Sequence, residues 1–370
     1  MSDWFPTTIG EVITLQRGFD ITKAVQRPGE IPVVSSGGIS SFHDTAITDG
    51  PGVVMGRKGT LGKVFYLPGP YWPHDTTLWV KDFKSNSPRF VYYFLQTLDF
   101  LAMDVGSSNP TLNRNHVHPL PVLWPSRVEQ EAIAHVLGAL DDKIAVNDRI
   151  AATARQLNID LFVSAIQDSS ENKRIQDIAG FLNRGQAPKY ADDESCIVVV
   201  NQKCVRDGRV SLEPARRAQA DRVKADRILR RGDVLVNSTG VGTLGRVGIW
   251  SHDIAATVDS HVTIVRVDAA LPAIVGAFAV LGAEQQFESL GEGSTGQTEL
   301  SRAKLASVMV RVPKGDLDEL AARLSAVETR ADAALNESQS LAKLRDTLLP
   351  ELLSGRLRVK DAEKIVEEAN

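Results

Sequence analysis

Cysteine is scarce in this chain. Two cysteines, Cys196 and Cys204, occur among 370 residues. Two thiols cannot form the dense disulfide framework of a small secreted domain, and without a nearby pair of histidines they make a poor zinc site. We therefore expect both to be packing residues in a reducing compartment.

Long apolar runs are also missing. No stretch approaches the roughly 18 consecutive apolar residues of a membrane span. The first residues, MSDWFPTTIG, lack the basic start and apolar middle of a secretion signal. We therefore expect a cytoplasmic protein with no membrane partner. A length of 370 residues, with 43% hydrophobic and 24% charged residues, predicts two or three globular domains.

A general excess of positive charge is missing too, since the formal net charge is −4. The average conceals an uneven distribution. Residues 126–171 contain 4 basic and 8 acidic residues, and residues 315–370 contain 8 and 12. Residues 172–314 instead contain 20 basic and 16 acidic residues, and within them residues 202–231 hold 10 and 4. This basic segment is either a solvated face or a surface for a nucleic acid.

A glycine-rich loop is present twice. The stretch GRKGTLGKV, residues 56–64, returns as GVGTLGRVGIW, residues 240–250. The surrounding elements repeat as well, because TIGEVITLQRG at 8–18 and RIQDIAGFLNRG at 174–185 both end on Arg-Gly and precede apolar, strand-like runs. Each copy continues with a strand, a short helix, a polar segment and a strand ending in proline. The chain is therefore one structural unit written twice.

Two further segments, 127–166 and 316–349, contain almost no glycine or proline and have sustained helical spacing. Apolar residues in both follow alternating steps of three and four, which predicts two long helices packed along a heptad seam rather than two independent surface helices. Ser338 and Arg345 interrupt one seam and Asn147 interrupts the other. Asn147 either fixes the register of the pair or lies just off the seam. Pro350 either kinks or ends the second helix.

These features predict an α+β fold in which two similar mixed α/β recognition domains are joined by two long antiparallel coiled-coil helices with an internal pseudo-twofold. The predicted boundaries are 1–125 for the first domain, 126–171 for the first spacer helix, 172–313 for the second domain and 314–370 for the second spacer helix and tail. A twofold object carrying two similar loops matches duplex DNA. We interpret each loop as the reading site for one half of an asymmetric, interrupted DNA sequence.

Polar side chains at the loop tips are the candidate DNA contacts. Asparagine, glutamine and arginine can pair with base edges, serine and threonine bond several bases, and glycine lets the backbone approach phosphate. The candidates in the first domain are Arg57, Lys58, Thr60, Asn109, Thr111, Asn113 and Arg114. Those in the second domain are Asn237, Thr239, Thr243, Arg246, His261, Gln297 and Thr298.

Other functions fit less well. The first loop lacks the GxxxxGK[ST] spacing of a phosphate-binding loop, because Lys63 is followed by Val64 and then by a predicted strand. An adenine methyltransferase needs a polar residue before Pro-Pro and an aromatic, whereas Asn109-Pro110 is followed by Thr111. His116 and His118 have no acidic or cysteine partner at helical spacing, so we interpret them as turn residues and predict no metal site. The remaining alternative is a coiled-coil interaction scaffold without DNA reading.

The pattern as a whole resembles the specificity subunits of type I restriction-modification enzymes. The most characteristic stretches are GSSNPTLNR, LPVLWPSRVEQEAIAHVLGALDDKIAVNDRI and LAKLRDTLLPELLSGRLRV, and the resemblance covers essentially the whole chain. It implies a non-catalytic subunit whose two target-recognition domains read double-stranded DNA while the helices set the gap between half-sites. It further implies docking of two methyltransferase subunits that use S-adenosylmethionine, and of restriction subunits that use ATP and Mg²⁺. The chain itself is expected to carry no cofactor.

The second copy departs from this pattern. It reads GSTGQTELSR where the first reads GSSNPTLNR, and Glu292 and Glu299 bring negative charge near the expected DNA face. The first domain is neutral, with 10 basic and 10 acidic residues in 1–125. We therefore expect docked partners to supply part of the nonspecific attraction to DNA.

Overall fold

The computed structural model describes residues 4–100, 111–191, 193, 196–291 and 298–369. The chain divides into two compact units, Met1–Asn147 with Glu337–Asn370, and Asp148–Asn336. Each unit contains one sheet-rich domain and a part of both long helices. The predicted α+β class, with two similar domains and two long packed helices, is confirmed.

The first domain is built from a four-stranded sheet of order β2-β8-β5-β6, a three-stranded sheet of order β4-β3-β7, and the antiparallel pair β1-β9. A long helix, α4, follows β9. The elements are β1 (Phe5–Thr8), α1 (Ile9–Val12), β2 (Thr14–Arg17), β3 (Ile31–Ser35), β4 (Gly38–His43), β5 (Gly52–Gly56), β6 (Val64–Leu67), β7 (Trp72–Pro73), β8 (Thr77–Asp82), α2 (Pro88–Gln96), α3 (Arg114–Val117), β9 (Pro121–Trp124) and α4 (Arg127–Asp168).

The second domain has a six-stranded sheet of order β11-β19-β16-β17-β14-β13, a three-stranded sheet of order β15-β12-β18, and the pair β10-β20. Two 3-10 turns, Ala220–Arg222 and Ala225–Arg227, follow β15. The elements are β10 (Ser170–Arg174), α5 (Ile175–Ile178), β11 (Ala179–Arg184), β12 (Ile197–Val200), β13 (Val205–Arg206), β14 (Gly208–Val210), β15 (Arg216–Ala218), β16 (Val234–Asn237), β17 (Val247–Ile249), β18 (Ala256–Val258), β19 (Val262–Val267), α6 (Ala273–Leu281), α7 (Glu284–Ser289), α8 (Arg302–Ser307), β20 (Met309–Pro313), α9 (Leu317–Leu353) and α10 (Val359–Ala369).

The two domains share their strand pairing. In the first, β3 pairs with β4 antiparallel and with β7 parallel. In the second, β12 pairs with β15 antiparallel and with β18 parallel. The strand before each glycine loop, β5 or β16, pairs antiparallel with the strand after the loop, β6 or β17, and with a later strand, β8 or β19. The predicted duplication is therefore present in the topology as well as in the sequence.

The two long helices run antiparallel in the first unit. Arg345 Nη1 lies 2.6 Å from Asp141 Oδ1, and Asn147 Nδ2 donates to Glu337 Oε2 at 2.9 Å, so the residue number falls along one helix as it rises along the other. Leucines between these pairs belong to the core of the first domain. Asn147 itself is 1% exposed. It therefore lies in the seam and not beside it.

The helices are antiparallel in the second unit too. Ala151 and Ala154 pack against Ala331, whereas Asn158, later on α4, donates to the carbonyl of Leu324, earlier on α9. The seam departs from the predicted heptad beyond this point, because Leu157 is 47% exposed while Asn158 is fully buried. A straight α-helix has 3.6 residues per turn, so a strict 3.5-residue repeat drifts off the contact face.

The second long helix continues through Pro350 and ends at Leu353. Pro350 therefore does not end the helix at the preceding residue. The short α10 follows, and Val359 and Ala362 on it are buried in the core of the first domain. Among the described residues, no helix is both long enough and apolar enough to span a bilayer.

Candidate nucleic-acid interface

The first glycine loop is a closed turn between the antiparallel strands β5 and β6. The N–H of Gly56 donates to the carbonyl of Lys63 at 2.8 Å, which closes the base of the loop. Gly59 and Gly62 have φ angles of +83° and +75°. This left-handed region favours glycine because it lacks a Cβ atom. The resulting tight turn leaves Lys58 exposed at its tip.

The second glycine loop has the same construction between β16 and β17. The N–H of Asn237 donates to the carbonyl of Arg246 at 2.9 Å, and Gly242 and Gly245 have φ angles of +69° and +80°. The loop encloses residues 238–245, whereas the first encloses 57–62. The shared GTLG sequence therefore encodes one backbone conformation, with a two-residue insertion before it in the second domain.

A second segment lies beside each loop. The N–H of Leu112 donates to the carbonyl of Arg57 at 2.8 Å, and the N–H of Leu300 donates to that of Ser238 at 2.8 Å. Both leucines are buried, with exposed fractions of 0% and 1%. Burial of one leucine thus anchors each polar segment against its glycine loop.

The residue after each anchoring leucine begins a short helix. The side chains of Asn113 and Ser301 each accept a backbone N–H from the helix that follows, α3 and α8 respectively. Asparagine and serine are preferred at this position because their oxygen satisfies an amide that has no partner within the helix. The caps place Arg114 and Arg302 at corresponding first helical positions.

A cleft of about 620 Å³ opens beside the first loop. It brings together three predicted contacts, Arg57, Asn113 and Arg114, although they come from distant parts of the sequence. The end of β2 and the start of β8 supply further wall residues. The lining is Gln16, Arg17, Gly18, Phe19, Asp20, Arg57, Asp75, Leu78, Asn113 and Arg114.

Charge in this cleft is of both signs. Arg17 Nη2 lies 2.6 Å from Asp75 Oδ2, so one arginine is paired with a carboxylate. Burial lowers the pKa of Arg57, and the neighbouring charge of Arg17 lowers it further. Two arginines held close together favour an anion such as a phosphate, or a guanine edge, over a cation.

The ligand atoms of Asp20, His74 and Asp75 lie within 4.8 Å of one another, a spacing that could hold a metal ion. These groups already have protein partners. Asp75 is paired with Arg17, and His74 Nδ1 lies 3.0 Å from the hydroxyl of Thr76. The cluster has no local sequence signature, because Asp20 is far from His74 and Asp75 in the chain.

The corresponding position in the second domain is bonded differently. Arg184 is the last residue of β11, as Arg17 is of β2, and it contacts Glu299 Oε1 at 2.5 Å and the carbonyl of Leu300 at 2.6 Å. Arg302 Nη1 contacts Asn183 Oδ1 at 2.8 Å. Arg184, the counterpart of Arg17, is thus bonded to the segment beside the loop, and Arg302, the counterpart of Arg114, is bonded to β11, so the two domains present different groups to a ligand.

Most predicted contacts of the first domain lie on or next to the loop. Lys58 and Thr60 are exposed, and Thr111 is half-buried opposite Lys58 in a β-bridge. Asn113 is exposed although its side chain caps α3. Asn109 lies outside the described residues.

The second domain requires one correction. Asn237 is 0% exposed, and its side-chain amide donates to the carbonyls of Gln202 and Thr243 at 2.9 and 3.1 Å. It therefore holds the loop from inside and does not present its amide to a base. The error arose because a polar residue in a turn is exposed in most proteins, whereas this one satisfies backbone carbonyls that the turn leaves open.

The other predicted contacts of the second domain are placed as follows. Thr239 and His261 are joined by a 2.7 Å hydrogen bond, and Arg246 donates to the carbonyl of Gly242 at 2.7 Å. Thr243 and Thr298 are half-buried. Gln297 lies outside the described residues.

Sequence reasoning missed Arg17 and Arg184 as site residues. The signal was present, because both repeats end their first strand on Arg-Gly. A Cβ atom at Gly18 would lie 2.2 Å from the carbonyl oxygen of His74, and one at Gly185 would lie 2.1 Å from that of Val258. Because glycine has no Cβ atom, the chain can pass directly against these backbone carbonyls. This close approach places the preceding arginine at the site.

Known proteins share sequence or fold features with this chain. Residues 1–155 match the family model described as type I restriction modification DNA specificity domain. The S subunit of a type I restriction-modification system from M. genitalium has a TM-score of 0.66 at 16% identity, covering 95% of this chain and 96% of that chain. The HsdS subunit from Thermoanaerobacter tengcongensis has a TM-score of 0.35 at 15% identity, covering 96% and 97%. No curated protein sequence matches.

The family model defines a DNA specificity domain of the restriction-modification class in the part of the chain that it matches. The family model identifies the first 155 residues, and the M. genitalium subunit has the same fold over nearly the whole length of both chains. The resemblance found in the sequence is thereby confirmed. Residues 1–155 therefore form a type I restriction-modification DNA specificity domain, and the chain as a whole shares the fold of the M. genitalium S subunit.

Proposed function

We propose that each recognition domain reads one half of a bipartite DNA site, and that the paired helices set the number of unread base pairs between the halves. The observation that carries this proposal is the duplicated loop. Two glycine turns with matching backbone conformation are each flanked by an anchored polar segment, and each stands on its own part of the helix pair. A scaffold without DNA reading would leave both constructions without a role.

The two halves of the site should differ in sequence. The first loop presents Lys58 and Thr60 beside an arginine-containing cleft. The second presents Thr239, bonded to His261, at the corresponding place. Because base edges are distinguished by their donors and acceptors, different side chains at corresponding positions favour an asymmetric target.

We further propose that catalysis resides in partner subunits. Two methyltransferase subunits would dock on the helices and methylate adenine with S-adenosylmethionine, and restriction subunits would supply ATP- and Mg²⁺-dependent translocation and cleavage. Exposed apolar side chains on α4, including Val128, Val146 and Val163, are available for such docking. This chain would contribute the choice of site and no reacting group.

Methylation mapping tests the proposal. Genomic DNA from the source organism should contain a two-part adenine-methylated motif with a fixed gap, and the motif should disappear when this chain is deleted. A strain in which the chain is restored on a plasmid controls for secondary effects of the deletion. A motif that persists after deletion, or a continuous motif with no gap, would contradict the proposal.

A binding experiment separates DNA reading from scaffolding. The chain should shift duplex DNA in a gel, alone or together with its methyltransferase subunits, and should prefer a duplex containing the mapped motif. Failure to bind DNA under either condition would instead support the scaffold.

A further inference from the structure

The outer strand of the three-stranded sheet differs sharply between the two domains. In the first domain this strand is β4, sequence GISSFH, and it exposes the apolar residues Ile39 and Phe42 by 57% and 54%. In the second domain the corresponding strand is β15, sequence RRA, in which Arg216 and Arg217 are exposed. The fold thus places uncharged residues in one domain where it places two adjacent cations in the other.

The basic strand is structurally supported. The guanidinium of Arg216 lies 3.5 Å from the ring centroid of Tyr190, and Tyr190 forms a β-bridge with Ala218 on the same strand. A guanidinium stacked on an aromatic ring keeps its charge and its N–H donors while its orientation is fixed. Arg217 donates to the carbonyl of Cys196 at 3.0 Å.

Further cations border this strand. The backbone carbonyl of Lys189 accepts the N–H of Gln219, which follows β15, and the Lys189 side chain is exposed. Lys189 and Arg227 line the same small cavity, and Lys224 is exposed on the turn before Arg227. We name Lys189, Arg216, Arg217, Lys224 and Arg227 the β15 basic surface. The acidic residues Asp221 and Asp226 are exposed on the same two turns, so the surface is positive on balance but not uniformly so.

Other cations of the basic segment are already paired with the helices of the second unit. Arg209 lies 3.3 Å from both Glu328 and Asp332 on α9, and Arg231 lies 2.6 Å from Asp332. These arginines hold the second domain against α9. The basic segment found in the sequence therefore has two parts with different tasks, one structural and one at the surface.

We propose that the β15 basic surface binds the phosphate backbone of duplex DNA, independently of sequence, and that the first domain has no equivalent contact on β4. The inference rests on the proposed DNA-reading function and deepens it. Phosphate contacts set the position of a protein on the duplex without carrying sequence information. The second domain would then supply most of the salt-dependent affinity, and the first domain would contribute mainly through its reading cleft.

The salt dependence of binding tests this proposal. Full-length chain in complex with its methyltransferase subunits is titrated with a fluorescent 40-base-pair duplex of random sequence at several salt concentrations. Each phosphate contact contributes about 0.9 to the slope of log K against log salt concentration. The triple variant K189A/R216A/K224A should therefore lower the slope by about 2 to 3. The methylated motif should keep its sequence, because the bases are read elsewhere.

A control triple removes the same charge elsewhere in the second unit. Arg174, Arg311 and Lys314 are exposed on or next to the strand pair β10-β20 and not on the helices proposed for docking, and R174A/R311A/K314A should leave the slope unchanged. Arg216→Lys keeps a point charge and should retain the wild-type slope. If the K189A/R216A/K224A variant shows no cooperative unfolding transition and is therefore not folded, Arg216→Ala alone is used. The slope of log K against log salt concentration should then decrease by about 1.

The outcomes separate this inference from the proposed function. If the wild-type complex binds DNA and the K189A/R216A/K224A variant has the same slope, the proposal for the β15 basic surface is wrong. The proposed DNA-reading function is then unaffected. Equal decreases for both triples also overturn it, because net charge alone would then explain the effect. Wild-type complex that does not bind DNA overturns both proposals.

Discussion

The side-chain amide of Asn158 donates to Glu328 Oε2 at 3.1 Å, joining the two long helices within the second unit. The same amide donates to the carbonyl of Leu324 at 3.2 Å, and Asn158 is 0% exposed. Asn147 and Glu337 form a second asparagine–glutamate pair in the first unit. A buried asparagine in an otherwise apolar seam favours the one alignment in which its amide finds a partner.

Asn158→Asp should strongly destabilise the second unit. The change removes the N–H donors and places a carboxylate beside Glu328, and an unpaired buried charge costs about 3 to 5 kcal/mol. Two carboxylates in contact raise the pKa of one of them, so part of the lost stability should return as the pH is lowered through that raised pKa. Urea denaturation at pH 8 and pH 5 measures both effects.

Asn336→Asp is the matched control for this change. Asn336 is exposed on α9, so the same chemical change there should alter the free energy of unfolding by less than about 0.5 kcal/mol. Equal effects of N158D and N336D would show that the buried pair has no special role.

Two glycines of the second loop provide another matched comparison. Gly242 and Gly245 both have positive φ, but a Cβ atom at Gly242 would meet nothing within 4 Å. At Gly245 it would lie 2.7 Å from the backbone nitrogen of Glu288 and 3.0 Å from Phe287. Alanine at either position incurs about 1 to 2 kcal/mol for the left-handed backbone.

Gly245→Ala should therefore cost about 1 to 3 kcal/mol more than Gly242→Ala, because backbone atoms of α7 must move. Denaturation of the two variants gives the difference directly. Reading of the second half-site should also be weaker in G245A, since the loop would shift. A G242A variant as unstable as G245A would mean that φ alone determines the cost.

His118 should make the stability of the first domain depend on pH. Its Nε2 accepts the backbone N–H of Leu15 at 3.0 Å, and burial lowers its pKa from the ordinary value of 6.5. The folded state therefore resists protonation more than the unfolded state does. Its contribution to stability is complete above pH 6.5 and is lost as the pH falls below that value toward the lowered pKa.

Unfolding measured at pH 7.5 and 5.5 tests this prediction. Wild-type protein should lose stability between the two values, and His118→Gln, which cannot be protonated, should lose less. His116→Gln is the control, because His116 is exposed on the same short helix and makes no comparable contact with β2 in the part of the chain described. An unchanged pH dependence in H118Q would exclude His118 as the cause.

The sequence predicted the repeat and the long helices because both are periodic. Two interruptions of the seam were visible but unexplained. The structure shows that the hydroxyl of Ser338 donates to the carbonyl of Ile144 at 3.4 Å, and that Arg345 reaches Asp141. Such partners lie about 200 positions away in the chain, so a local pattern cannot identify them.

The site was predictable in outline but not residue by residue. A GTLG repeat indicates the two turns, whereas the direction of each side chain depends on strand register. The residue opposite the first loop illustrates this. Aligning DTTLWVKDF, which starts at 75, with DSHVTIVRVD, which starts at 259, places Asp75 against Asp259. In the structure, however, the N–H of Arg57 donates to the carbonyl of Thr76, and the N–H of Ser238 donates to that of His261. Thr76 therefore corresponds to His261, and the residue that corresponds to Asp259 is His74. A one-residue shift reverses the face on which a strand residue lies.

Replacement of Arg57 should alter reading of the first half-site alone. Arg57 lies in the cleft with Asn113 and Arg114, and no group of the second domain contributes to that lining. A good arginine–base pair is worth about 1 to 3 kcal/mol of discrimination, so Arg57→Ala should lower methylation at the first half-motif about 5- to 150-fold or relax its sequence. Lysine at this position keeps the charge but loses the planar fork, so it should restore affinity without restoring discrimination.

Methylation mapping of cells carrying R57A, R57K or the control Arg27→Ala measures these effects. Arg27 is an exposed arginine of the same domain, paired with Asp44 at 2.6 Å and absent from the cleft lining. The second half-motif and the gap should be identical in all three strains, because they are determined by other parts of the chain. If R57A instead weakened both half-motifs equally and left their sequences intact, Arg57 would be a phosphate contact, and the first cleft would position the DNA without reading it.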